Sequence, residues 1–302
     1  MRLLVTGSSG TIGTRLCERL LEEGHDVVGA DLVPNQWNPS VNKRTLIADL
    51  RDEKVFDALP HDVEMVVHLA ANARVYELVK EPARALDNFV MLFRTLEFCR
   101  LHKIPRFVFA SSRECYGNIK TERCTEDLVR VENCESPYTA SKLGGEALVT
   151  SYEKCYGLTP VILRFSNVYG AYDVSDRVVP LFIRQARKNE PLVIFGKGKL
   201  LDFTYIDDTV SGIIQVLERF DTIKGETFNL AFGSGSTLVS CAEIVKELTK
   251  SSSSVSFAPP RTGEVTHYVA DITKARKELG FDPKTPFREG MEKAVAWYLK
   301  HT

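Results

Sequence analysis

The stretch "RLLVTGSSGTIGTRLCERLLEEG", Arg2 to Gly24, decides the fold. Its opening run is apolar nearly throughout, as a strand covered on both faces should be. Gly7, Gly10 and Gly13 follow at once, and an amphipathic stretch then runs to Gly24, a helix C-terminal signal. A tight turn, a side-chain-free approach and amide donors at a helix start are what a bound pyrophosphate needs. The spacing is G-x-x-G-x-x-G, less common than G-x-G-x-x-G, so the glycines alone are a weak signal. Asp31, ending the next apolar run, strengthens it. Its carboxylate can accept both ribose hydroxyls of an adenosine and would repel a 2′-phosphate, which favours NAD over NADP.

Working outward, "HDVVGAD" (25–31), "EMVVHLA" (64–70), "RFVFASS" (106–112) and "PVILRFS" (160–166) repeat the buried-strand pattern. Amphipathic stretches separate them, which predicts an α/β fold with a Rossmann-type doubly wound parallel sheet. Past residue 168 the rhythm loosens, so residues 1–168 read as the cofactor domain. Residues 169–302 read as a smaller α/β substrate-binding portion, with strands free to cross between the two. "ADL" (48–50) follows a third strand, where Asp49 and Leu50 face an adenine or Asp49 caps a helix beginning at Arg51.

With 302 residues, 44% hydrophobic and 26% charged, the chain has ample material for a core. A formal net charge of −1 gives no basic field for nucleic acid or acidic membranes. No run approaches the ~18 apolar residues of a membrane span, and a signal-like pattern is missing at the start. The seven cysteines lack metal-ligand spacing, so no metal is expected, and reduced thiols in a cytoplasmic protein are.

"SPYTASK" sets Tyr138 and Lys142 one helical turn apart, on one face. A free tyrosine, with a pKa of about 10, is a poor base at neutral pH. A neighbouring ammonium and an oxidised nicotinamide would favour the phenolate. Such a tyrosine can take a proton from a sugar hydroxyl while hydride leaves the same carbon. "FASSRECYG" (109–117) brings serine, arginine and glutamate to the end of a buried strand.

Together "TGSSGTIG", "HLAA", "ASSRECYG", "SPYTASK" and "LRFSNVYG" resemble the extended short-chain dehydrogenase/reductase superfamily, in its nucleotide-sugar epimerase/dehydratase branch. The likeness continues through "DFTYIDD", "PRTGEV" and "LGFDP…FREGMEKAVAWY", covering essentially the whole chain. It implies NAD held by Gly7, Gly10, Thr11, Ile12, Gly13, Asp31, Asp49, Leu50, Leu69, Ala70, Ala71, Asn88, Ser111, Tyr138 and Lys142. It implies Tyr138 as base, Lys142 as the residue that holds the nicotinamide ribose and lowers the tyrosine pKa, and Ser112 on the reacting C4 hydroxyl. For the nucleotide sugar it implies Arg74, Ser112, Arg113, Asn167, Val179, Phe195, Arg261 and Tyr268, the last limiting sugar size. A homodimer through a four-helix bundle is implied as well.

There are departures from the family pattern. Leu201 stands where an arginine is usual, leaving one phosphate contact to Lys197 or Lys199; Met91 and Leu92 replace a Gly-Thr pair in the bundle helix. The reading these residues support is an NAD-dependent UDP-sugar 4-epimerase acting through a transient 4-keto-sugar, on UDP-glucose/UDP-galactose or UDP-glucuronate. The alternative is a dehydratase or UDP-glucuronate decarboxylase using Glu114. A non-enzymatic nucleotide-sugar sensor is disfavoured by the intact Tyr138, Lys142 and Ser112 set. Three roles fit Glu114: a C5 base, a substrate-orienting acceptor, or a partner in a structural hydrogen bond. Arg113 gives up no proton at neutral pH, which argues against standard 4,6-dehydration.

Overall fold

The computed structural model describes residues 1–301 and lays the apolar runs side by side as parallel strands. In chain order the first half holds β1 (Arg2–Thr6), α1 (Thr11–Glu22), β2 (Asp26–Asp31), α2 (Pro39–Asn42) and β3 (Thr45–Ile47). It continues with β4 (Met65–His68), α3 (Val75–Lys80), α4 (Ala83–Leu101), β5 (Arg106–Ser112), α5 (Pro137–Tyr156) and β6 (Thr159–Phe165). The second half holds β7 (Asn167–Tyr169), α6 (Val178–Arg187), β8 (Leu192–Phe195), β9 (Leu200–Tyr205), α7 (Ile206–Ile223) and β10 (Thr227–Leu230). It ends with β11 (Gly235–Thr237), α8 (Leu238–Thr249), β12 (Val255–Ala258), β13 (His267–Tyr268), α9 (Thr273–Leu279) and α10 (Phe287–His301).

The large sheet runs β10-β6-β5-β4-β1-β2-β3, every pair parallel. Chain order reverses between β1 and β4, and that switch point opens the crevice where ligands bind in such sheets. Side chains alternate across each strand. Leu3 and Val5 join Leu16, Cys17 and Leu20 of α1 on one face; Leu4 joins Leu92, Leu96 and Val149 of α4 and α5 on the other. The first cluster is continuous with the core of the second half, so the two portions share apolar packing. They also share a strand, because β10 edges the large sheet. The second half adds β7, β9, β11 and β13 in one small sheet, and pairs β8 with β12.

One sequence expectation is corrected here. No α-helix begins at Arg51: a 3-10 turn spans Glu53–Ala58, capped by Asp52, whose carboxylate accepts from the Lys54 amide at 3.0 Å. Asp49 instead accepts from the Arg51 amide and guanidinium, at 3.0 Å and 2.6 Å. No helix is long and apolar enough to cross a membrane among the described residues.

The end of β5 is shaped by a single 3-10 turn, Arg113–Tyr116. Ser112 caps it by accepting from the Glu114 amide at 3.2 Å. Gly117 ends it at φ +63, where a Cβ would stand 2.1 Å from the Asn133 carbonyl oxygen. Behind the turn Tyr116 donates to Asn229 at 2.7 Å and receives Arg164 at 3.1 Å. Arg164 in turn forks onto Glu146 at 2.9 Å and 2.8 Å. Removing one charge of a buried pair strands the other. Glu146→Gln should therefore lower stability by about 3 kcal/mol, measured as a fall in the urea midpoint with unchanged slope. A midpoint within error of the wild type would show that the network is not structural.

Candidate active site

A cleft of ≈ 760 Å³ lies at the C-terminal ends of β1, β4 and β5 and is closed by the second portion. Gly7, Gly10, Thr11, Ile12 and Gly13 line it, with Leu69 and Ala71 from the loop after β4. Gly7 takes φ +73, and a Cβ there would lie 2.8 Å from the Ala70 amide nitrogen. No side chain caps α1 at Gly10, so its first-turn amides stand ready for an anionic group. These features fit the pyrophosphate of a dinucleotide. Asp31 sits beside the turn, its two oxygens accepting from the amides of Ser9 (2.9 Å) and Val33 (3.1 Å).

Tyr138 and Lys142 enter from α5, whose Ser136 cap accepts from the Thr139 amide at 3.1 Å. Ser111, Ser112, Arg113 and Glu114 border the same cleft from the end of β5. Burial pushes the Tyr138 phenol up to about 12, while a hydrogen bond with Ser112 and the charge of Arg177 pull the other way. Burial also brings the Lys142 ammonium down to about 8. Its Nζ donates to the Ala110 carbonyl at 2.7 Å and stands 5.9 Å from the Tyr138 ring centre. Desolvation dominates both groups, and the lysine is turned to a backbone oxygen. His68, beneath them, is driven down to about 3 by burial and the Lys142 charge, and shares a hydrogen bond with Thr6 at 3.0 Å.

Arg113 pairs with Glu114, Nη2 to Oε1, at 2.7 Å. Burial raises the Glu114 carboxyl, with Arg113 and the nearby Val265 amide acting against it. Cys115 lies buried behind, its thiol pushed up to about 12 by burial.

From β7 comes Asn167, and from the second portion come Val179, Phe195 and Arg261. Asn167 donates to the Asp202 carbonyl at 3.0 Å. The Arg261 guanidinium lies 4.1 Å from the Phe195 ring centre and 4.7 Å from that of Tyr76. Arg74 reaches the cleft but is held by Glu77 at 2.8 Å and Asp176 at 3.2 Å. Where Leu201 replaces an arginine, Lys199 supplies a cation in the cleft, paired with Glu264; Lys197 lies over Phe257 instead.

Other expected residues are engaged within the protein, and all of them but Ser111 stand apart from the cleft wall. Leu50 is buried, and the Asp49 carboxylate is taken by Arg51. Ala70 contributes its amide to Thr6. Asn88 spends its amide on the Asn72 backbone and Ser141, fastening the loop after β4 to α5. The Ser111 hydroxyl is turned to Glu146 at 2.5 Å. Tyr268 is fully buried against Tyr116 and behind Arg113, 5.8 Å from its guanidinium, so its bulk does not limit a sugar directly. Arg177, Tyr76, Glu264 and Val265 line the cleft without having been singled out in the sequence. Only the arginine just before "VVPLFI" carried a local signal, a charge at a helix start.

Residues 3–231 match the model for the NAD dependent epimerase/dehydratase family. The chain belongs to that family. It is 33% identical to YtcB of Bacillus subtilis strain 168, an uncharacterized UDP-glucose epimerase, across 98% of each chain. The UDP-glucose 4-epimerase of Thermotoga maritima, solved with UDP-glucose, superposes with TM-score 0.90 at 30% identity over 99% of both chains. The UDP-glucuronic acid 4-epimerase of Bacillus cereus, solved with UDP-glucuronic acid and NAD, gives 0.92 at 30% identity over the full length of both. NAD is accordingly the cofactor of this epimerase/dehydratase family member.

At Gly13 a Cβ would fall 2.0 Å from the Gly7 carbonyl oxygen, inside any tolerable contact. Gly13→Ala must therefore force α1 off the turn. The expected result is loss of nearly all co-purifying NAD, measured by chromatography of the nucleotide released per mole of protein. Full NAD content in that variant would refute this account of the cradle.

Proposed function

We propose that the protein is an NAD-dependent 4-epimerase of a UDP-sugar, acting through a transient 4-keto-sugar. The observation that carries this is the meeting of Tyr138, Ser112 and the glycine turn in one cleft. The UDP-glucose and UDP-glucuronic acid 4-epimerases among its structural neighbours support it.

NAD supplies a hydride acceptor that becomes the donor on return. The glycine turn and the α1 amides hold its pyrophosphate, and Asp31 its adenosine ribose. Lys142, now on the Ala110 carbonyl, is placed to hold the nicotinamide ribose. Ser112 holds the C4 hydroxyl and Tyr138 takes its proton, then gives it back after the keto-sugar presents its other face. Arg261 and Phe195 grip the nucleoside diphosphate, with Lys199 in the place an arginine would fill. The Arg113–Glu114 ion pair favours epimerisation over dehydration, because a guanidinium has no proton to give a departing hydroxyl.

On this reading residues 1–168, with β10 added to their sheet, serve the cofactor and the remainder the sugar nucleotide. The protein works in the cytoplasm as a homodimer, paired through α4 and α5. Leu86 and Phe93 on α4 are 65% and 37% exposed, and Gly144 of α5 lets the Phe89 ring lie close.

Tyr138→Phe removes the proton carrier and should lower kcat by about a thousandfold or more, with NAD content unchanged. Product analysis after incubation with UDP-glucose should give an epimer of unchanged mass. Loss of water or carbon dioxide overturns the assignment.

Because burial holds the Tyr138 proton on, the accepting form grows as pH rises, and kcat/KM should climb along its acid limb. Arg177→Gln removes a charge that opposes the burial, so that limb should move to higher pH. An unmoved profile would remove Arg177 from the tyrosine's environment.

A further inference from the structure

The Arg113–Glu114 pair is incomplete within the protein. Nη2 and Oε1 satisfy each other at 2.7 Å, with the side chains only 10% and 5% exposed. Arg113 Nη1 and Glu114 Oε2 are also shielded from solvent and have no hydrogen-bond partner among the described residues, although the Val265 amide lies near the same carboxylate. Both residues line the cleft. An idle buried donor or acceptor costs about 1–3 kcal/mol. Two of them on neighbouring residues mark a place where a ligand group is received. The guanidinium is backed by the Tyr268 ring at 5.8 Å, and the turn beneath it is capped by Ser112 and closed at Gly117. The pair is therefore held in position before any ligand arrives.

Its chemistry is specific. One free donor beside one free acceptor complements a hydroxyl, which both gives and receives a hydrogen bond. A carboxylate offers only acceptors, and it would set its charge against Glu114. Two cations that act on Glu114 are both paired, Arg113 with Glu114 itself and Lys199 with Glu264. Structural neighbours of the chain include enzymes of both UDP-glucose and UDP-glucuronic acid, so overall likeness leaves the choice open.

We infer that Arg113 and Glu114 select a sugar with a neutral hydroxymethyl group, Glu114 accepting from the C6 hydroxyl and Arg113 donating to it. The preferred substrate is then a UDP-hexose rather than a UDP-hexuronate. This rests on the 4-epimerase reading, because it takes Ser112 as the C4 contact and its two successors as neighbours of the adjoining C5 substituent. Discrimination works partly by repulsion, Glu114 being the element that rejects the uronate.

The test is kcat/KM for UDP-glucose and UDP-glucuronate, in the NAD-loaded wild type and in Glu114→Gln. The wild type should favour UDP-glucose by about a hundredfold, within the range a built hydrogen-bonding site achieves. Glutamine keeps the acceptor and drops the charge, so the glucuronate-to-glucose ratio should rise by about tenfold or more. UDP-6-deoxyglucose, which leaves both groups unmet, should lose at least about tenfold against UDP-glucose in the wild type. NAD content and melting temperature establish that the variant is folded. A wild type that prefers UDP-glucuronate overturns the inference while leaving the epimerase reading intact. So does a ratio unmoved in a folded, NAD-loaded variant. A wild type that epimerises neither sugar, nor binds either by calorimetry, overturns the epimerase reading itself and this inference with it.

Discussion

The contact on which the rest depends is the approach of Gly13 to the Gly7 carbonyl, where any Cβ would be 2.0 Å from oxygen. It seats the N-terminus of α1 directly over the end of β1. That single closeness aligns first-turn amides with the crevice at the β1–β4 switch point. On the other side Gly7 leans on the backbone of Leu69 and Ala70, so the loop after β4 is shaped by the same turn. Two strand ends and a helix start thus become one wall of the cleft.

The second wall is braced from behind. Glu146 of α5 gathers Ser111 and Arg164, and Arg164 reaches Tyr116, which holds Asn229 of β10. Asn229 donates in turn to the carbonyls of Cys124 and Asp271. The chain of bonds runs from the helix that carries Tyr138 and Lys142 to the strand that returns from the second portion. It also supports the 3-10 turn that presents Arg113 and Glu114. Such a network is worth its desolvation only when every member is satisfied, which here it is. Arg113 and Glu114, which carry two unsatisfied atoms, belong to the lining of the cleft instead.

Burial sets the electrostatics of this site more than neighbouring charge does. Tyr138 rises and Lys142 falls, both because water is excluded, and so the proton rests on the phenol before a cofactor is present. The phenolate expected from the sequence requires the Lys142 ammonium and an oxidised nicotinamide together. In the cofactor-free protein the Lys142 Nζ rests on the Ala110 carbonyl.

What the sequence by itself determined is whatever local spacing encodes. Period and turn chemistry placed β1, β2, β4, β5 and β6, the glycine cradle and the acid beside it. They also placed Tyr138 and Lys142 on one helix face. These depend on residues near each other in the chain, whose geometry the backbone dictates. Tertiary structure decided everything that turns on a distant partner. Asn88 became a fastening because Asn72 and Ser141 lay within reach. Tyr268 was drawn behind Arg113 by the pairing of β13 with β9. Lys199, two residues before Leu201, is held in the cleft by Glu264, which arrives from a loop 65 residues on. The idle atoms of Arg113 and Glu114 belong to this second kind, since a free hydrogen-bonding position exists only after all neighbours have been placed.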